Sequence, residues 1–390
     1  MHILISAQSY PSPKNQLSAF VAVLAEEMVR QGMNVIVLAP QSLTTCWKHR
    51  IPLCPQKYKV KINTSEGLRE MTILRPYSFT LGQGRFNKIS LRIDRFIINR
   101  TAKKIKIKPD IIYSHFWKAA NNILDFAVKN GIPSFVATGE DEITIDQYLN
   151  AHRINTLNEY IKGVICVSTK NLEESIAHHL TERSKTIVLP NAVNPKEFYH
   201  IGKKIAREKL GYPQDDFIVA FCGRFNTRKG CRRVSDAISL LNDPHIKSIF
   251  IGITSGGIYE EPECDGILFK GSLNHSEIVT YLNAADVFVL PTQAEGCSNA
   301  IIEAMACGLP IISSNLPFNY DILNESNAIL VDPMNIQQIA DAIMEIKGQP
   351  EVRQSKSKAS LEMAKQLSIE NRVNNILKFI KKQIQNKNRS

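Results

Sequence analysis

Short apolar runs alternate along this chain with longer stretches in which apolar positions return every three or four residues, a pattern that predicts an α/β protein. Residues 2–5, 34–39, 71–75, 110–113, 133–137, 163–167 and 185–189 read as strands. Residues 17–31, 87–105, 119–129 and 171–180 read as helices between them. The runs are continuous, as in strands covered on both faces, so strand and helix in alternation imply a doubly wound parallel sheet. Pro190-Asn191-Ala192-Val193-Asn194-Pro195 breaks the rhythm and marks a turn-rich linker. The pattern restarts at Phe217, with further strands near 248–252, 267–270, 287–290 and 311–313. The expected fold class is therefore α/β, two doubly wound Rossmann-like domains spanning 1–189 and 190–365. Ligands of open parallel sheets bind beyond the carboxyl ends of the strands, so the two sheets are expected to face each other across a cleft.

Candidate chemistry concentrates in the second half. In 285–312, ADVFVLPTQAEGCSNAIIEAMACGLPII, a buried strand is stopped by Pro291, a tight loop carries Glu295, and a helix starts near Ser298 with Glu303 on its second turn. Ser298 is a good N-cap, Gly308 a good helix stop, and Pro310 prevents continuation. Such a helix start presents unpaired N–H groups and partial positive charge at the mouth of the strand. In 217–230, FIVAFCGRFNTRKG, an apolar strand ends at Gly223, a basic loop follows, and a helix begins around Cys231. Gly223 lets a ligand approach the backbone closely, and Arg224 and Lys229 bring two fixed cations to the strand end, as a departing diphosphate requires. A P-loop would need glycine directly before the lysine and Ser or Thr after it, whereas Arg228 and Gly230 stand there.

Glu295, seven residues and Glu303, followed by Ala304-Met305-Ala306 and Gly308-Leu309-Pro310, resembles the donor-site signature of retaining glycosyltransferases of family 4, within glycosyl transferases group 1. These enzymes have the GT-B fold. The resemblance implies that Glu303 holds the ribose hydroxyls of a nucleotide sugar and Glu295 the hydroxyls of the transferred sugar. Gly296, Cys297, Ser298 and Asn299 would line the donor, and Arg224 and Lys229, next to Gly223, would take its diphosphate. The stretch PNAVNPKEF from Pro190 resembles the family's interdomain connection, and by analogy 366–390 forms a C-terminal helix crossing back to the first domain, ending in a basic tail. His115, emerging at the end of the strand 110–113, corresponds to a family histidine near the transferred sugar. It completes an expected catalytic set of His115, Arg224, Lys229 and Glu295. Gly139-Glu140-Asp141 loosely matches a glycine-x-aspartate loop and puts Asp141 on the acceptor side. The family often carries a glycine pair after the first strand, but 6–16, SAQSYPSPKNQ, has no glycine, so that contact is not expected here.

The implied activity is retaining transfer of a sugar from a nucleoside-diphosphate sugar to a saccharide or lipid-linked saccharide acceptor, in bacterial surface polysaccharide or lipopolysaccharide synthesis. No cofactor is expected, and no metal, because the cationic pair is present without an aspartate-x-aspartate motif. Two alternatives share these features: a nucleotide-sugar epimerase, which would convert the donor without an acceptor, and a non-catalytic binder of membrane or nucleic acid, which would not need Glu303.

Composition narrows the rest. The 390 residues are 44% hydrophobic and 22% charged, ordinary for a soluble protein. The eight cysteines form no C-x-x-C pair, and Cys46, His49 and Cys54 are wrongly spaced for zinc. With no basic lead at Met1 and no run of 18 apolar residues, a cytoplasmic protein is expected. The net charge is +11, and 85–108 holds nine basic residues against one acidic, Asp94. Phe86, Ile89, Ile93, Phe96 and Ile97 form an apolar stripe at helical spacing there. The stripe is expected to cover the sheet, while the charges attract the chain to an anionic membrane surface. Nucleic acid is not an expected partner, since no recognition motif accompanies the charge.

Overall fold

β-branched and aromatic runs flanked by turn residues become strands wherever the sequence buries both faces. A computed structural model describes residues 1–12, 18–81, 85–254 and 258–386. Part of the loop after the first strand (13–17), the side chain of Arg85 and the end of the basic tail lie outside them. The chain folds as two compact units, Met1–Leu189 with the chain from Val373 onward, and Pro190–Arg372.

The first unit holds β1 (His2–Ser6), β2 (Asn34–Leu38), β3 (Gln41–Ser42), β4 (Lys57–Thr64), β5 (Gly67–Leu74), β6 (Tyr77–Ser78), β7 (Ile111–His115), β8 (Ser134–Thr138), β9 (Ile161–Cys166) and β10 (Thr186–Val188). Eight of them form one sheet in the order β10-β9-β8-β7-β1-β2-β5-β4, and β3 pairs with β6. The pairs from β10 to β5 are parallel, but β4 runs antiparallel to β5 through the short turn Thr64–Gly67, which corrects the purely parallel expectation. The reason lies in Lys57-Tyr58-Lys59-Val60-Lys61-Ile62: alternate lysines suit an exposed edge strand and hide its apolar face from a search for continuous runs. The carboxyl ends of β1 and β7 flank the point where strand order reverses, the usual ligand position in open α/β sheets.

The second unit is a six-stranded parallel sheet of β11 (Phe217–Cys222), β12 (Ile246–Ile251), β13 (Ile267–Gly271), β14 (Val287–Leu290), β15 (Ile311–Ser314) and β16 (Ala328–Val331). Its order is β13-β12-β11-β14-β15-β16, with the reversal between β11 and β14. Fully buried Ile218, Phe221, Phe250, Phe288, Ile301 and Ile343 show strand and helix faces closing on one core. At the amino end of β14, Asp286 accepts from Arg207 (2.6 Å), Lys203 (2.5 Å) and the Ile218 amide (2.8 Å), joining β11 and β14 away from the loops.

The C-terminal stretch is two helices, Pro350–Gln366 and Ile369–Asn386. The break falls where Ser368 pairs with Val193, locked by Val193 N–H to Leu367 O and Ile369 N–H to Val193 O, both 2.9 Å. Val373, Ile376, Leu377 and Ile380 then repeat at helical spacing and are buried in the first unit. The helix Arg85–Ala102 also departs from expectation. Its buried positions are Ser90, Leu91, Asp94, Ile98, Asn99 and Ala102, whereas Phe86, Ile89 and Phe96 are exposed. The apolar stripe does not cover the sheet.

Candidate active site

The loops after β11 and β14 diverge from the reversal point of the second sheet and are fastened to one another. Asn226 starts the turn: its side-chain Oδ1 accepts from the Lys229 amide at 3.0 Å and its carbonyl from the Gly230 amide at 3.1 Å. Gly230 has φ +79° and N-caps the helix Cys231–Leu241. A Cβ there would lie 2.5 Å from Arg233 Nη2 and 2.9 Å from Pro291 O. Glycine therefore leaves room for buried Arg233 to donate to Thr227 O (2.8 Å) and Pro291 O (2.9 Å), pinning the basic loop to the end of β14. Arg228 adds two ties, donating to Ala294 O at 2.8 Å and accepting at its carbonyl from the Gln293 amide at 2.9 Å.

On this frame Lys229 Nζ donates to Glu295 Oε1, both side chains being largely buried. Thr292 Oγ1 also reaches Glu295 Oε1, at 3.3 Å. Gly223 is half-buried at the strand end, and Arg224 beside it is exposed, with no side-chain ion pair among the described residues. Gly296, Cys297 and Ser298 are buried and lead into the helix Asn299–Ala306, on which Asn299 is exposed and Glu303 lies one turn in. Ser298 occupies the N-cap position, yet its side chain caps nothing, a departure from the expected capping bond. The Cys297 carbonyl accepts from Asn191 Nδ2 at 3.0 Å, so the turn-rich stretch from Pro190 braces this loop.

The Cys222 thiol, at the half-buried end of β11, reports the electrostatics of the same place. Burial pushes it up to about 12, the Glu303 carboxylate pushes the same way, and Lys229 pulls it down. Glu303 and Lys229 therefore act on one point beneath the strand end. Burial likewise raises the Cys297 thiol to about 12, so both are protonated fillers.

Sequence reasoning missed His275. The turn Asn274-His275-Ser276-Glu277 is a capping box that sets His275 at the first position of the helix His275–Ala284. Its Nδ1 lies 3.3 Å from Glu197 Oε2 and its Nε2 3.6 Å from Glu303 Oε1, while Phe198 packs edge-on at 5.0 Å. The contact with Glu197, then that with Glu303, raises the imidazole from 6.5 to about 10, so it is a cation at neutral pH. The only sequence signal was the capping box, which says nothing of 197 or 303. Gly252 was also missed. A Cβ on it would fall 1.8 Å from the Gly223 carbonyl oxygen, so only glycine lets β12 end against the donor-side turn.

In the first unit His115 ends β7 and is buried among Phe20 (5.5 Å), Tyr113 (5.3 Å) and Phe116 (6.5 Å between ring centroids). Phe116 follows at φ +72°, a left-handed conformation costly for a bulky residue, and such strain concentrates at functional sites. The strained turn begins the helix Phe116–Asn130, whose Trp117 amide donates to Glu140 Oε1 at 2.9 Å. Thr138 Oγ1 (2.5 Å) and the Gly139 amide (2.9 Å) donate to Glu140 Oε2. Desolvation raises the Glu140 carboxyl and these bonds oppose the rise. Within the loop the inward carboxylate is thus Glu140, whereas Asp141 is exposed and its carbonyl accepts from Lys170 at 2.6 Å. Glu140, Glu142, Gln8, Lys118 and Tyr148 line a cavity of about 220 Å³ in this unit.

Two Rossmann-like units, each with its polar loops at the strand-order reversal, define a protein of GT-B architecture. Residues 202–363, within the second unit, match the family described as Glycosyl transferases group 1. A relative from Bacillus subtilis (strain 168), "Putative teichuronic acid biosynthesis glycosyltransferase TuaC", is 26% identical over 362 residues, 88% of each chain. The UDP-Gal:alpha-D-GlcNAc-diphosphoundecaprenol alpha-1,3-galactosyltransferase of Escherichia coli is 27% identical over 197 residues, 47% of this chain and 50% of that one. Among solved structures, Anabaena Alr3699/HepE in complex with UDP-glucose superposes with a TM-score of 0.69 at 16% identity, over 98% of this chain and 100% of that one.

Proposed function

We propose that the chain is a retaining glycosyltransferase of family 4 that moves a hexose from a UDP-sugar to a lipid-linked saccharide, without a metal, in the synthesis of a surface polysaccharide. The observation that carries the reading is the Lys229–Glu295 contact at the reversal point of the second sheet, with Arg224 on the adjoining strand end. A cation beside a carboxylate suits a donor whose diphosphate needs positive charge and whose sugar hydroxyls need an acceptor. Lys229 and Arg224 stabilise the phosphate oxygens as the bond to the anomeric carbon breaks. Glu295 holds the sugar, and Glu303, one helical turn beyond the loop, holds the ribose. The acceptor hydroxyl bonds to the anomeric carbon on the face the diphosphate leaves, and its proton passes to the departing phosphate oxygen, so no side-chain nucleophile is used. His115 is assigned to positioning the transferred sugar and Asp141 to the acceptor side. The UDP-glucose bound by the Anabaena protein and the diphosphoundecaprenol-linked substrate named for the Escherichia coli relative support these donor and acceptor classes.

The test is a thermal-shift screen of UDP, UDP-glucose, UDP-galactose and their GDP counterparts, since a ligand bound only by the native state raises the melting temperature. The uridine compounds should raise it, and Glu303→Ala should remove the rise. No rise with any nucleotide, or a rise that survives Glu303→Ala, sinks the donor assignment. Loss of transfer on adding a chelator, with recovery in magnesium or manganese, sinks metal independence, and an inverted anomeric coupling in the product sinks retention.

A further inference from the structure

The helix Arg85–Ala102 has a spent inner side and an unspent outer one. Inward, Leu91 joins one core cluster and Ile98 and Ala102 another. The polar inner groups are also used: Asp94 accepts from Ser78, Asn99 Oδ1 from the Phe126 amide at 2.6 Å, and Ser90 Oγ from the Leu81 amide at 3.0 Å. Outward, Phe86, Ile89, Ile93 and Phe96 recur every three or four residues, one continuous stripe along the helix. Phe86 is 54% and Phe96 65% exposed. Lys88, Arg92 and Arg100 stand on the same exposed side, and among the described residues no ion pair engages them.

The neighbouring elements extend this surface. Ser78 and Leu81 bond the segment after β5 to the helix, and exposed Phe79 and Leu81 lie in that segment. The Thr80 amide donates to Ser42 (3.1 Å) and Thr44 (3.0 Å), which fastens on the helix Leu43–Lys48, whose Trp47 is 85% exposed.

We infer that this lobe of the first unit is a membrane-docking face for an anionic bilayer. Phe86, Ile89 and Phe96 enter the acyl boundary, Trp47 sits at headgroup level, and Lys88, Arg92 and Arg100 pair with lipid phosphates. Charge complementarity selects the occupant. An apolar stripe fringed by long, uncompensated cations matches a surface that is greasy inside and negative at its edge, and Lys and Arg stems can lie along the apolar layer while their heads reach phosphate. A nucleic acid would leave the apolar stripe in water. No helix of the described residues is long and apolar enough to cross a bilayer, so the contact inferred here is one of surface docking. The inference is independent of the donor-side reading, since vesicle binding and sugar transfer are separate measurements.

The test is co-sedimentation of the full chain with phosphatidylcholine vesicles with and without phosphatidylglycerol, with tryptophan emission as a second readout. Of the two tryptophans, Trp117 is fully buried, so a blue shift reports Trp47. Wild type should bind only the phosphatidylglycerol vesicles, with a blue shift, and lose binding in high salt. Lys88→Glu/Arg92→Glu/Arg100→Glu should weaken binding by on the order of 100-fold or more, and Phe86→Ser/Phe96→Ser by at least about tenfold. Both variants should melt like wild type, because the altered side chains are exposed. The inference is overturned if wild type stays in solution, binds neutral vesicles equally, or binds undiminished in both variants. It is equally overturned if the phenylalanine variant turns a vesicle-free dimer into a monomer, which would make the stripe a contact between copies.

Discussion

Replacing His275 by glutamine tests whether a partly exposed charged bridge positions Glu303. The imidazole bridges Glu197 at 3.3 Å and Glu303 at 3.6 Å and is raised from 6.5 to about 10. A fully sheltered group so displaced would contribute ~5 kcal/mol. The side chain is 51% exposed, however, and screening by water reduces the two contacts to ~1–2 kcal/mol together. Because the folded pKa lies above the unfolded one, the folded state holds a proton that the unfolded chain releases between 6.5 and about 10. The contribution is therefore complete below pH 6.5 and disappears as pH rises through about 10. His275→Gln should lower the melting temperature by roughly 2–6 °C near pH 6, with the gap from wild type closing towards about pH 10.5. Differential scanning calorimetry across that range, with the imidazole followed by NMR, measures both quantities. A gap that is constant with pH, or that widens, would refute the charged bridge, as would an imidazole titrating near 6.5. If Glu303 holds the ribose, the same variant should raise the KM for the UDP-sugar more than it changes kcat.

Three further outcomes are expected. Gly252→Ala must move the Gly223 carbonyl from 1.8 Å, so it should cost ~3 kcal/mol or more in urea unfolding. Glu295→Gln leaves the largely buried Lys229 cation without its carboxylate and should destabilise by ~3 kcal/mol, and adding Lys229→Met should restore part of the loss in a double-mutant cycle. Arg224→Ala, at an exposed position, should change stability by no more than ~0.5 kcal/mol while lowering kcat by on the order of 100-fold or more in a transfer assay.

Continuous apolar runs made the sheets legible. Phe217–Cys222 and Val287–Leu290 are buried on both faces, so their strands stood out, and the turn chemistry of Gly223 and Pro291 showed where they stop. The meeting of Lys229 with Glu295, 66 positions apart, was readable because both follow strands that a Rossmann-like order makes neighbours. The lysine-rich β4 was not, since its alternation leaves only half its positions apolar. Nor did the period of Phe86, Ile89 and Phe96 reveal their exposure: periodicity tells that a helix has two faces, not which of them is turned inward. The Glu197–His275–Glu303 bridge brings together three distant stretches of chain, and no local pattern encodes such a meeting.

The break at Leu367 and Ser368 also sets an order of manufacture. Phe379, on the helix after it, lies so close to Gly163 that a Cβ there would fall 2.7 Å from its ring, so the first unit has a wall that only the last helix fills. On the ribosome, residues 1–189 emerge before the second unit and must wait, part of their apolar surface bare, until that whole unit has been translated. Cutting the gene at the linker would therefore release not two stable halves but one nearly complete domain and one missing its lid.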